Sequence, residues 1–141
     1  MNSGAGAFTV DISIDMEAVV GPSDIQVNCS YVADPGDLLF GVNLKAFSEG
    51  MFKTIATFSP MNSALPAFTT DGQYLVNRSN LTNPNGGSNI ATLTFSQIVC
   101  EDETVYQCEV DYQDGDTGMV PSPLPTASTN LTVKCMYVRI I

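Results

Sequence analysis

The side chains whose types most restrict their chemistry are Cys29, Cys100, Cys108 and Cys135. They are even in number and widely spaced, no two form a Cys-x-x-Cys pair, and the chain has no histidine to complete a zinc site. Disulfide formation in an oxidising compartment is therefore the expected chemistry. Four Asn-x-Ser/Thr sequons, at Asn28, Asn77, Asn80 and Asn130, agree with that reading, since each can accept an N-linked glycan in a secreted chain. Asn28 lies beside a cysteine expected in the core, so it faces outward with restricted access. Acids could do two other kinds of work. "EDE" (101–103) pairs carboxylates, and "DYQDGDTG" (111–118) crowds Asp111, Asp114 and Asp116 into a loop with acid–glycine–acid spacing. The twelve-residue calcium pattern is absent, so a solvated hairpin tip is expected and no metal or cofactor is implied. Without histidine neither a Ser-His-Asp nor a Cys-His arrangement can form. "NPNGGSN" precedes a strand rather than a helix and reads as a turn, not a phosphate cradle. Nothing here points to an enzyme.

The elements that must position these groups are strands. In "DETVYQCEV" (102–110), Tyr106, Cys108 and Val110 share one parity, while Val105, Gln107 and Glu109 share the other. Period two with aromatic and β-branched residues makes a strand with one buried face. A tyrosine buried there needs a partner for its hydroxyl. Similar runs recur along the chain. Val10, Ile12 and Ile14 alternate in "FTVDISIDM", and Ile25, Val27, Cys29 and Tyr31 in "IQVNCSYV". Leu38, Phe40, Val42 and Leu44 share a face in "LLFGVNLKAF", as do Phe52, Thr54, Ala56 and Phe58 in "MFKTIATF". "QYLVN", "NIATLTFSQI" and "NLTVKCMYV" complete the set. "PMNSALPAFTTDG", with two prolines, is a loop or short edge strand. Helical periodicity is missing throughout. Eight or nine strands with turns at these intervals predict an all-β antiparallel sandwich, one domain over residues 1–141 with its core at about 8–135.

Charge narrows the partners. Fifteen acidic residues against five basic ones give a net charge of −10, which repels nucleic acid and anionic membrane. No apolar run approaches the roughly 20 residues of a membrane span. "MNSGAGAFTV" lacks the basic flank and apolar run of a signal peptide, so in a secreted protein the leader and any anchor are expected outside this segment.

The pattern Asp102-x-Thr104-x-Tyr106-x-Cys108 resembles the E–F corner and strand F of an immunoglobulin domain, with Cys29 at the place of the strand B cysteine. The resemblance covers about residues 8–135. It implies a Cys29–Cys108 bridge between the sheets and a tyrosine corner in which the Tyr106 hydroxyl bonds back to the chain upstream. Residues 71–78, "DGQYLVNR", resemble strand D, and "ATLTFSQI" resembles strand E. The long separation of the two cysteines and the extra strand "MFKTIATF" favour the variable type. Cys100 and Cys135 then fall at one end of the sandwich and would pair with each other, the alternative being a cysteine beyond this segment for Cys135.

Three features depart from the family. No tryptophan exists to pack against the bridge, so Val42 or Leu44 fills that site, with Val42 expected and Phe40 or Phe95 supplying bulk. Gln73 stands where strand D usually carries the arginine that pairs with the corner acid, so Asp102 is expected to hold a hydrogen bond rather than a salt bridge. The Gly-x-Gly joining motif is also missing, so the chain is similar to divergent variable-type modules, such as those of invertebrate recognition proteins, rather than to antibody domains.

The family's use implies an extracellular recognition or adhesion module for a protein or glycan, including a second copy of itself, in innate immune recognition. The alternative is a spacer in a tandem extracellular protein. The F–G loop, taken as about residues 111–126, is the expected contact surface through Tyr112, Asp114, Asp116 and Met119. A rival is the C–C′ face around Phe52 and Ile55.

Overall fold

The computed structural model describes residues 8–15, 17–60, 64–84 and 88–135. The first part of "MNSGAGAFTV", the tip of "PMNSALPAFTTDG", the middle of "NPNGGSN" and the end of "NLTVKCMYV" lie outside them. Thirteen strands follow in chain order: β1 (Thr9–Ile14), β2 (Ala18–Val19), β3 (Gly21–Pro22), β4 (Gln26–Val32), β5 (Leu38–Ser48), β6 (Met51–Phe58), β7 (Ala67–Phe68), β8 (Ser79–Thr82), β9 (Ile90–Phe95), β10 (Gln97–Ile98), β11 (Thr104–Gln113), β12 (Thr126–Leu131) and β13 (Val133–Lys134). Single 3₁₀ segments occupy Thr70–Leu75 and Cys100–Asp102.

Nine of these strands make two sheets, β1-β4-β9-β8 and β12-β11-β5-β6-β7. Every ladder within them is antiparallel. The remaining strands are two-residue clasps: β3 with β10, and β2 running parallel to β13. The second clasp ties the first strand region to the opposite sheet.

The core forms where the alternating parities meet. Val27, Cys29 and Tyr31 of β4, Ala91, Leu93 and Phe95 of β9, Val42, Leu44 and Ala46 of β5, and Tyr106, Cys108 and Val110 of β11 are all buried. Cys29 and Cys108 join the sheets at a Cα–Cα distance of 5.8 Å. Leu44 stands cross-strand from Cys108, and Val42 cross-strand from Val110. Phe95 supplies an aromatic edge against Tyr106, with ring centroids 6.4 Å apart. Phe40 does not contribute, and it is 52% exposed.

The reason is a bulge. Asp111 pairs with Gly41 but Tyr112 pairs with Leu39, so Phe40 is an extra residue on β5 and the parity reverses there. A second bulge lies in β6, where Leu44 pairs with Ala56 and Lys45 with Thr54. It leaves Ile55 unpaired and turns it inward beside Ala56, both buried. The 3₁₀ segment Thr70–Leu75 then lies against this bulge. A Cβ on Gly72 would fall 1.9 Å from the Ile55 carbonyl oxygen, so only glycine permits the approach.

Val42 is fully buried, cross-strand from Val110 on one side and Phe58 on the other. Val42→Trp is therefore expected to overpack the core and cost about 1–3 kcal/mol in urea denaturation. Parent-like stability would reveal an unfilled space of indole size.

Candidate functional site

Two ends of β11 matter. At its start, the Cys100–Asp102 segment places the Asp102 carboxylate in the interior, 1% exposed. Both of its oxygens receive the Arg78 guanidinium, Nη1–Oδ2 at 2.8 Å and Nη2–Oδ1 at 2.9 Å, and Oδ2 also accepts the Val99 N–H. Arg78 Nη1 donates as well to the Gln97 carbonyl. The Tyr106 hydroxyl donates to the Asp102 carbonyl at 2.8 Å, which closes the corner. Burial holds that hydroxyl far above the ordinary tyrosine range, with Tyr74 and Asp102 adding to the shift. The carboxylate of Asp102 raises the Arg78 guanidinium above its usual value.

This corrects the expectation that Asp102 lacks a salt bridge. Residues 71–78 are not strand D: most of them form the 3₁₀ segment, and the strand is β8, beginning at Ser79. The arginine is present, immediately before that strand. The structure also pairs Cys100 with Cys135 at a Cα–Cα distance of 5.7 Å, beside this corner.

The far end of β11 carries the F–G loop. The strand continues to Gln113, so the loop is residues 114–125, shorter than the sequence suggested. Its tip is organised by its own polar groups. Asp114 N–H donates to the Met119 carbonyl and Gly118 N–H to the Asp114 carbonyl, both at 2.9 Å. Asp114 Oδ1 accepts the N–H groups of Asp116 and Thr117, so this acid shapes a turn. The loop between β4 and β5 braces it: Asp37 accepts Gly115 N–H through Oδ1 and Asp34 N–H through Oδ2. Gly115 packs so tightly that a Cβ there would lie 2.5 Å from the Gly36 carbonyl carbon. The Ser122–Pro123 peptide is cis.

Asp116 and Met119 stand out at the surface, Met119 being 68% exposed and Val120 48%. Tyr112 does not join them. It is 8% exposed and its ring stacks on Phe8, centroids 4.0 Å apart, because it shares the inward parity of Tyr106, Cys108 and Val110. Burial, then the nearby Asp37, Asp114 and Asp34, raise its hydroxyl above the usual tyrosine value. It thus forms the floor of an open depression of about 380 Å³ lined also by Asp114, Thr117, Met119, Val120 and Pro121.

The rival face is polar at its centre, where Glu109 meets Lys45 at 3.1 Å and Asn43 at 3.2 Å. Apolar exposure on its strands includes Leu38, Phe40, Phe47 and Met51; Ile55 is buried and cannot belong to it. A cleft of about 400 Å³ near the corner is lined by Glu49, Lys53, Asp71, Tyr74 and Glu101. Among the described residues, no group of three or more His, Cys, Asp or Glu is placed to hold a metal ion. No helix among them is long and apolar enough to cross a membrane.

Two sheets bridged by Cys29–Cys108, a tyrosine corner, an added C′ hairpin and the parallel β2–β13 clasp define an immunoglobulin-like sandwich of the variable type. Among solved structures, that of murine CRIg is similar, with a TM-score of 0.69 over 92% of this chain and 99% of that one, at 17% identity. At that identity the likeness shows the fold. No family model matches the chain, and no curated protein does.

Proposed function

We propose that this domain is an extracellular recognition or adhesion module that contacts a protein ligand through the F–G loop. The observation that carries the reading is a loop held in shape before any ligand arrives, with Met119 and Val120 exposed on the same loop as Asp114 and Asp116. A braced loop loses little entropy on docking, and exposed apolar side chains beside acids suit an anchor with an electrostatic rim. The two disulfides support an extracellular setting. A net charge of −10 favours a ligand with a basic surface over self-pairing through this loop.

The test is a binding screen of the purified domain against extracellular ectodomains, its own included, followed by variants on the partner found. Met119→Ala is expected to weaken binding by about 1–2 kcal/mol, mainly through faster dissociation. Asp114→Asn with Asp116→Asn keeps the turn acceptors and should instead slow association and flatten its salt dependence. Affinity and rates untouched by both sets would remove the loop and transfer the contact to Phe40, Phe47 and Met51.

A further inference from the structure

Four strands end the two main sheets: β1 and β8 on one, β7 and β12 on the other. An outermost strand leaves a row of backbone groups that another chain can pair with, unless a charge, a proline, a bulge or shortness guards it. Two of these edges have such guards. Strand β1 carries Asp11, and β7 is only two residues long.

The other two have no such guard within the strand itself, although β1 runs close beside β12 and the β2–β13 clasp covers the chain just after it. Strand β8 reads SNLT and β12 reads TASTNL, without charge, proline or glycine. Each holds the same tripeptide, Asn80-Leu81-Thr82 and Asn130-Leu131-Thr132. Asn80 and Asn130 are both exposed, while Ser79 and Leu131 beside them turn inward. The remaining sequons sit elsewhere. Asn28 is half-buried in an interior strand, where its Oδ1 accepts the Thr92 hydroxyl. Asn77 lies in a turn, and the hydroxyl of its Ser79 is buried and committed to the Leu75 carbonyl.

We infer that Asn80 and Asn130 carry N-linked glycans that shield the two unguarded edges from pairing with a second copy of this chain. In each case the side-chain nitrogen bonds to the anomeric carbon of an oligosaccharide carried on a polyprenyl pyrophosphate. The carbon–oxygen bond to the pyrophosphate breaks, the polyprenyl pyrophosphate leaves with its electron pair, and the amide proton passes to a base of the transferring enzyme. A pairing strand must approach to about 4.8 Å, well within the sweep of a sugar chain rooted on the edge. The inference rests on the extracellular part of the proposed function and is independent of the loop contact.

The experiment is secretion of the domain from a eukaryotic cell, glycopeptide mapping, and sedimentation of Asn80→Gln/Asn130→Gln beside the parent. Both asparagines are expected to be occupied. The double variant should keep the parent circular-dichroism spectrum yet self-associate several-fold more tightly. Either asparagine bare in protein with both bridges formed overturns the inference while leaving the extracellular reading intact. So does a folded, unglycosylated variant that stays as monomeric as the parent.

Discussion

Arg78→Ala is expected to destabilise the domain by about 3–5 kcal/mol, because it leaves the carboxylate of Asp102 buried and without its counter-charge. Arg78 itself is only partly covered, its side chain 20% exposed, whereas that of Asp102 is fully enclosed. The loss therefore comes from the acid rather than from the arginine's own packing. Arg78→Lys should recover a fraction only, since an ammonium cannot meet both carboxylate oxygens in the forked geometry seen here. Replacing both partners by apolar residues of similar volume should cost less than Arg78→Ala alone. Chemical denaturation of the oxidised protein measures all three. A loss below about 1 kcal/mol for Arg78→Ala, the range of exposed pairs, would show that water reaches Asp102 and that the corner is not sealed.

Removal of the Cys29–Cys108 bridge is the second large effect. The bridge closes 79 residues, for which the chain-entropy estimate is about 4–5 kcal/mol and typical measured losses are about 2–5. Cys29→Ala with Cys108→Ala should therefore leave a domain that is marginal at 37 °C. Cys100→Ser with Cys135→Ser should cost less. That bridge closes 35 residues, and Cys100 is exposed and Cys135 half-buried, so no sealed cavity is left behind. Guanidinium midpoints of the two double variants decide the order. A larger loss from the outer pair would mean that the β2–β13 clasp, and not the inter-sheet bridge, dominates the fold's stability.

Much of this architecture was legible from parity alone. Strands β4 and β11 alternate without interruption, so Cys29, Tyr106 and Cys108 could be placed inward, while the corner was implied by the resemblance to immunoglobulin domains. The misses share a cause: a single inserted residue reverses every side chain beyond it, and nothing in "LLFGVNLKAF" or "MFKTIATF" marks Phe40 or Ile55 as the extra one. Two errors had signals that went unused. Tyr112 lies on the parity of Cys108 and Val110, which should have extended the strand and withdrawn it from the loop. Arg78, one of only five basic residues, directly precedes the alternating run Ser79–Thr82. A strand assigned one element too early pointed instead to Gln73. The loop's length and prolines were legible, but its bracing by Asp37 and Gly36 joins residues about eighty positions apart and has no local signature.

The order of the two bridges along the chain also fixes how the domain bears tension. A pull between β1 and Cys135 travels to Cys29, crosses to Cys108, runs back along the chain to Cys100 and crosses again to the far end. Residues 30–99 and 109–134 hang off this covalent route as slack that no stretching force can draw out. The F–G loop, β12 and most of both sheets fall within those two spans. A molecule strained between two surfaces would lengthen only in the segment before Cys29 and in residues 101–107, so the F–G loop would carry no load.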